Sequence, residues 1–80
     1  MSIRFSLDRF LERHDITRYR LAKELEGEVG HTTVYYLARG EEVQRLDLKS
    51  LEAVLKGLER LLGERVALES LIEIDAEEEI

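Results

Sequence analysis

Eighty residues without a cysteine make one small domain that buries only about 60% of the surface its unfolded form exposes, with no disulfide or thiolate metal site to staple it. A net charge of −6, taken whole, argues against a polyanionic partner, because phosphate contacts are the usual source of affinity for nucleic acid. The charge is segregated, however: eight basic residues meet eight acidic ones from Met1 to Arg45, and four basic meet ten acidic from Leu46 onward, so the segregation allows one face to meet a polyanion while another stays acidic. The first fifteen residues carry charges every few positions, unlike a signal peptide or a membrane span, and the chain is read as soluble and cytoplasmic.

In chain order, Ser2-Ile3-Arg4-Phe5 alternates polar and apolar residues as a short strand does. Four helix starts follow, each marked by a capping residue with an apolar residue before it and another four positions after it. They are Phe5-Ser6 with Phe10, Ile16-Thr17 with Leu21, Val29-Gly30 with Val34, and Leu46-Asp47 with Leu51. Val66-Ala67 with Leu71 is a weaker fifth, since alanine cannot cap. Helices are therefore expected near Leu7 to His14, Arg18 to Leu25, His31 to Arg39 and Leu48 to Leu62, with a short one near Leu68 to Ile72. Gly27, Gly40 and Gly63 fall just past three of them, where glycine accepts the left-handed conformation that closes a helix. In the fourth, Leu48, Leu51, Val54, Leu55, Leu58, Leu61 and Leu62 recur at steps of three and four, a wide apolar stripe suited to a core.

Leu71-Ile72-Glu73-Ile74 alternates again and is a candidate partner for the first strand, frayed termini being the other reading. Neither proline nor a linker nor a repeat divides the chain. The expected fold is thus all-α, a compact bundle of four to five short helices with a short terminal β-pair, occupying 1–74 and followed by an acidic tail at 75–80.

The second and third helices are joined by a glycine-containing turn, and the third begins with small polar residues, which is the pattern of a helix-turn-helix. Three runs carry the likeness: Thr17-Arg18-Tyr19-Arg20-Leu21-Ala22, Thr33-Val34-Tyr35-Tyr36-Leu37-Ala38-Arg39-Gly40 and Leu46-Asp47-Leu48-Lys49-Ser50-Leu51. With these the chain resembles the Cro and phage-repressor-like (XRE) helix-turn-helix family from about Phe5 to Ile72. It departs from that family in the turn, which is two residues longer in total, and in carrying Glu41 and Glu42 where basic residues are common.

The resemblance implies DNA binding, with the third helix as the recognition helix in the major groove and the second crossing the phosphate backbone. It places His31, Thr32 and Thr33 at phosphate or base edges, with a phosphate favoured near Gly30 to Thr32. Val34 and Leu37 then point inward, while Tyr35, Tyr36 and Arg39 project outward, Arg39 suited to forking onto guanine. Arg18, Arg20 and Arg45 add contacts to the backbone phosphates. For the tyrosines the other reading is half-burial against a neighbour; for the arginines it is surface salt bridging.

No enzyme is expected: the chain has no nucleophile elbow, phosphate loop or dinucleotide glycine pattern, and its two histidines, His14 and His31, fall on different helices. No metal and no cofactor are expected either. The function that follows is a repressor-like transcriptional regulator, bound as a homodimer to a pseudo-palindromic operator. Its dimer contact would use the fourth helix with Val66, Leu68, Ile72 and Ile74, although most of the leucines are expected in the monomer core. The alternative is an antitoxin-like or adaptor module that binds a protein through the same scaffold, which accounts more directly for the acidic charge.

Overall fold

The computed structural model describes residues 2–40 and 43–75, so the expected acidic tail beyond Asp75 and the Glu41-Glu42 pair lie outside the described residues. The elements run β1 (Ser2–Phe5), α1 (Leu7–Arg13), α2 (Arg18–Glu24), α3 (His31–Leu37), α4 (Leu48–Leu62), a 3-10 turn (Leu68–Leu71) and β2 (Ile72–Asp75). Among the described residues, no helix is long and apolar enough to cross a membrane.

The two terminal segments form the short β-pair for which they were candidates, antiparallel with Ser2 opposite Asp75 and Phe5 opposite Ile72, and the rest of the described chain is mostly helical. Phe5 is buried and Ile72 half-buried, so the inner end of the ribbon is a lid on the helical core. The Ser6 N–H donates to the Leu71 carbonyl at 2.6 Å and carries the pairing into the start of α1. This ribbon joins the two ends of the described chain and removes the alternative of frayed termini. The expected fifth helix is instead a single 3-10 turn: Ala67 offers no side-chain cap, and Ile72 leaves the turn in extended conformation to join β1.

Thr17 and Asp47 cap α2 and α4 as their side chains dictate, Thr17 Oγ1 accepting from Arg20 N–H at 3.0 Å and Asp47 Oδ1 from Ser50 N–H at 2.8 Å. Ser6 occupies the same position before α1 but makes no cap hydrogen bond. Gly63 closes α4 in the left-handed conformation. Asp15 closes α1 the same way, at φ 58°, with Ile16 N–H reaching back to the Leu11 carbonyl at 2.9 Å.

All four helices contribute to one core, and α4 packs against α2 within it. Leu51, Val54 and Leu58 of α4 join Leu21 of α2, Leu25 just past its end, Val34 and Leu37 of α3, and Leu7, Phe10 and Leu11 of α1 in one buried cluster. Leu55, Leu61 and Leu62 pack at its edge. Leu48 is excluded: it opens α4 before the helix reaches the core and is 80% exposed.

Candidate nucleic-acid interface

α3 is fixed from behind. Val34 and Leu37, three apart on one face, are buried in the core. The same rotation leaves His31, Thr32, Thr33 and Tyr35 exposed, and Arg39 exposed just past the helix end. His31, Tyr35 and Arg39 follow one another at steps of four and form a stripe along the outer side of the element. The first bond of the ladder runs from Val34 N–H to the Gly30 carbonyl, so the helix starts without a side-chain cap.

Tyr36 departs from the outward direction expected for it. It is half-buried against the core, and its hydroxyl accepts the backbone N–H groups of Gln44 at 3.0 Å and Arg45 at 3.3 Å. That ties the α3–α4 connection to the flank of α3 and sets Arg45 beside it. The Arg39 guanidinium lies over the Tyr36 ring, 5.9 Å from its centre, so Tyr36 braces two arginines at once. Thr33 and Tyr36 also border a shallow cleft against Leu46, Asp47 and Ser50 at the start of α4.

Charge around α3 is mixed. His31 Nε2 lies 3.5 Å from Glu26 Oε2, and Lys23 Nζ lies 4.0 Å from the same oxygen. Arg20 and Arg45 are exposed and, among the described residues, engage no carboxylate with their guanidinium groups. Arg18 is exposed too, but it stands on the other side of α2 from Arg20, at roughly 200° around the helix. There it borders a cleft with Asp8, Glu12 and Asp15. The structure thus brings together His31, Thr32, Thr33, Tyr35, Tyr36, Arg39 and Arg45 on or beside α3, and sets Arg18 apart in acidic surroundings.

Two features escaped the sequence reading. Arg60 of α4 donates through Nε to Glu24 Oε2 at 2.6 Å and through Nη2 to Glu28 Oε2 at 3.2 Å, across the α2–α3 turn. The Glu24 hydrogen bond, with help from the charge of both carboxylates, pushes the Arg60 pKa up. Gly57, one turn earlier, is buried where α4 passes α2. A glycine in mid-helix is a hint of such a close approach; an arginine among many surface charges is not.

Among the described residues, no group of three or more histidine, aspartate and glutamate side chains is arranged to hold a metal ion. Comparison with models of known protein families, with curated proteins and with solved structures returns no match to this chain.

Proposed function

We infer that this chain is a sequence-specific DNA-binding regulator of the repressor type, with α3 as the helix that enters the major groove. The observation that carries the reading is the division of α3: Val34 and Leu37 anchor it in the core, while His31, Thr32, Tyr35 and Arg39 stand exposed on its outer side. Groove-reading helices need that rigid back and polar front, because base-edge contacts demand fixed placement. Arg45 beside α3 and Arg20 on α2, both exposed and without a carboxylate partner among the described residues, are candidate phosphate contacts. The resemblance to the Cro and phage-repressor-like (XRE) family points the same way, and implies a homodimer on a pseudo-palindromic site, since one helix covers only a few base pairs.

A protein-binding role, as an antitoxin-like or adaptor module, is favoured by a different observation. Ile3 and Ile74 face each other across the ribbon and are 66% and 61% exposed, an adjacent apolar pair on the outer part of the sheet. Fluorescence-anisotropy titration against random duplex DNA and against the region upstream of the chain's own gene, at several salt concentrations, separates the two. Tight upstream binding that weakens steeply with salt supports the regulator. No binding to either duplex at low salt overturns it in favour of the protein partner.

A further inference from the structure

The connection between α2 and α3 is six residues long, Leu25 to Gly30, and is folded on itself by hydrogen bonds from the Glu28 and Val29 N–H groups to the Leu25 carbonyl, at 2.8 and 3.0 Å. α4 adds a tie from outside. The Arg60 guanidinium reaches three acceptors on that connection: Glu24 Oε2 at 2.6 Å, the Glu24 carbonyl at 3.3 Å and Glu28 Oε2 at 3.2 Å. Glu24 ends α2, so one donor satisfies a carbonyl that the helix leaves without an internal partner. Glu28 stands beyond Gly27, past the left-handed point of the turn. One turn before Arg60, Gly57 gives Leu25 room to seat against the α4 backbone. The start of the turn is therefore held to α4 by apolar contact and its far part by the arginine fork.

An exposed ion pair contributes little stability, and a single pair here would be an ordinary surface contact. The planar fork of arginine alters that argument, because one rigid group bonds two residues on either side of a bend and so removes freedom from the bend itself. We propose that Arg60 is the positioning residue of the DNA interface: it straps the α2–α3 turn to α4 and fixes the pose in which α3 is presented to the groove. The proposal rests on the DNA-binding reading above. It assigns Arg60 to specificity and not to adhesion, since base-edge hydrogen bonds fail with small displacements whereas flexible arginines still find phosphates.

The test uses the full chain, wild type, Arg60→Ala and Arg60→Lys, with two readouts. The first is amide hydrogen exchange; faster exchange is expected at Glu28 and Val29 in Arg60→Ala, with α1 and α4 unchanged. The second is affinity for a duplex selected from a random library by the wild-type protein, measured against an unselected duplex. Arg60→Ala is expected to lower the ratio of the two affinities about tenfold, as coupled contacts of this kind do, with the salt dependence unchanged. Arg60→Lys keeps the charge without the fork and should recover only part of the ratio. A ratio within twofold of wild type, with the turn loosened, overturns the positioning role and leaves the DNA-binding reading standing. Wild-type protein that selects no duplex overturns both.

Discussion

The side chain of Leu25 fills the space in which a β-carbon on Gly57 would stand: that carbon would lie 2.6 Å from Leu25 Cδ2 and 3.3 Å from Cγ. Leu25 is fully buried, so moving it aside displaces other core side chains. Alanine is the better helix former by about 1 kcal/mol, and at a solvent-facing glycine in α4 it would stabilise the fold. Here overpacking by about 1–3 kcal/mol is the larger effect. Gly57→Ala is therefore expected to lower stability by about 1 kcal/mol net, read as a drop in the urea midpoint. A rise would mean that Leu25 relaxes without cost.

Ser6 reverses a different rule. A serine before a helix usually contributes about 1 kcal/mol by capping it. The Ser6 hydroxyl is buried, makes no cap and has no hydrogen-bond partner among the described residues, since its backbone is committed to Leu71. Removing a buried unsatisfied hydroxyl relieves a desolvation penalty of about 1–3 kcal/mol. Ser6→Ala is expected to raise the melting temperature, by several degrees if about 1 kcal/mol is regained. A loss of stability would show that the hydroxyl is hydrogen-bonded after all.

These two positions mark where the sequence is legible. Thr17, Asp47 and Gly63 act through neighbours three or four residues away, so their roles can be read from local spacing, and α4 has the bounds its leucine period predicts. The alternation at both ends signals the strands, although only tertiary packing of Phe5 and Ile72 makes so short a ribbon stable. The Arg60 fork joins residues 36 and 32 apart, and the Gly57 contact reaches back to Leu25. Asp15 adopts a glycine-like conformation without a glycine. Nothing periodic announces these: the Arg60 and Gly57 contacts follow from how helices cross, and Asp15 closes α1 in a conformation its residue type does not signal. Tyr36 lies between the cases: its place on α3 is readable, but its inward turn depends on a connection eight residues away.

Tyr36→Phe separates bracing from direct contact. The ring and its packing remain, while the acceptor for the Gln44 and Arg45 amides is lost. Those amides are exposed and water replaces the hydroxyl, so the stability cost is expected to be about 0.5–1.5 kcal/mol. Amide exchange at Gln44 and Arg45 should accelerate. DNA affinity should fall only a fewfold, because Arg45 is loosened and not removed. Unchanged exchange would contradict the clamp.

Asp47 gives the fold an acid-sensitive element. The hydrogen bonds it accepts from Ser50, aided by the Lys49 charge, hold its carboxyl below the ordinary value of 3.8. A carboxyl with its folded pKa depressed adds stability that is present above the unfolded value and is lost as pH falls through the folded one. The cap should therefore act fully at neutral pH and fade below about pH 4. Asp47→Asn keeps an acceptor for Ser50 N–H without titrating. Thermal melts at pH 7 and pH 3 should show a smaller acid-induced loss in Asp47→Asn than in wild type. Equal losses would place the acid sensitivity elsewhere.

The arginines divide by what surrounds them, and salt titrations can read the division. Each lysine or arginine that neutralises a duplex phosphate steepens the plot of log affinity against log salt by about 0.9. Arg20→Ala and Arg45→Ala remove exposed guanidinium groups that have no carboxylate partner among the described residues, the first on α2 and the second beside α3. Each is expected to weaken selected and unselected duplexes alike and to reduce the slope by about 1. Arg18→Ala should change the slope less, because Arg18 faces Asp8, Glu12 and Asp15 across their shared cleft and a phosphate arriving there would meet their charge. Arg39→Ala should act differently again. Arg39 is held over Tyr36 at the end of the exposed stripe, and under the proposed reading, in which it contacts a base edge, its loss should cost about 1–3 kcal/mol on the selected duplex alone. Equal losses on both duplexes would make Arg39 a phosphate contact, and the reading of sequence would then fall to His31, Thr32 and Tyr35.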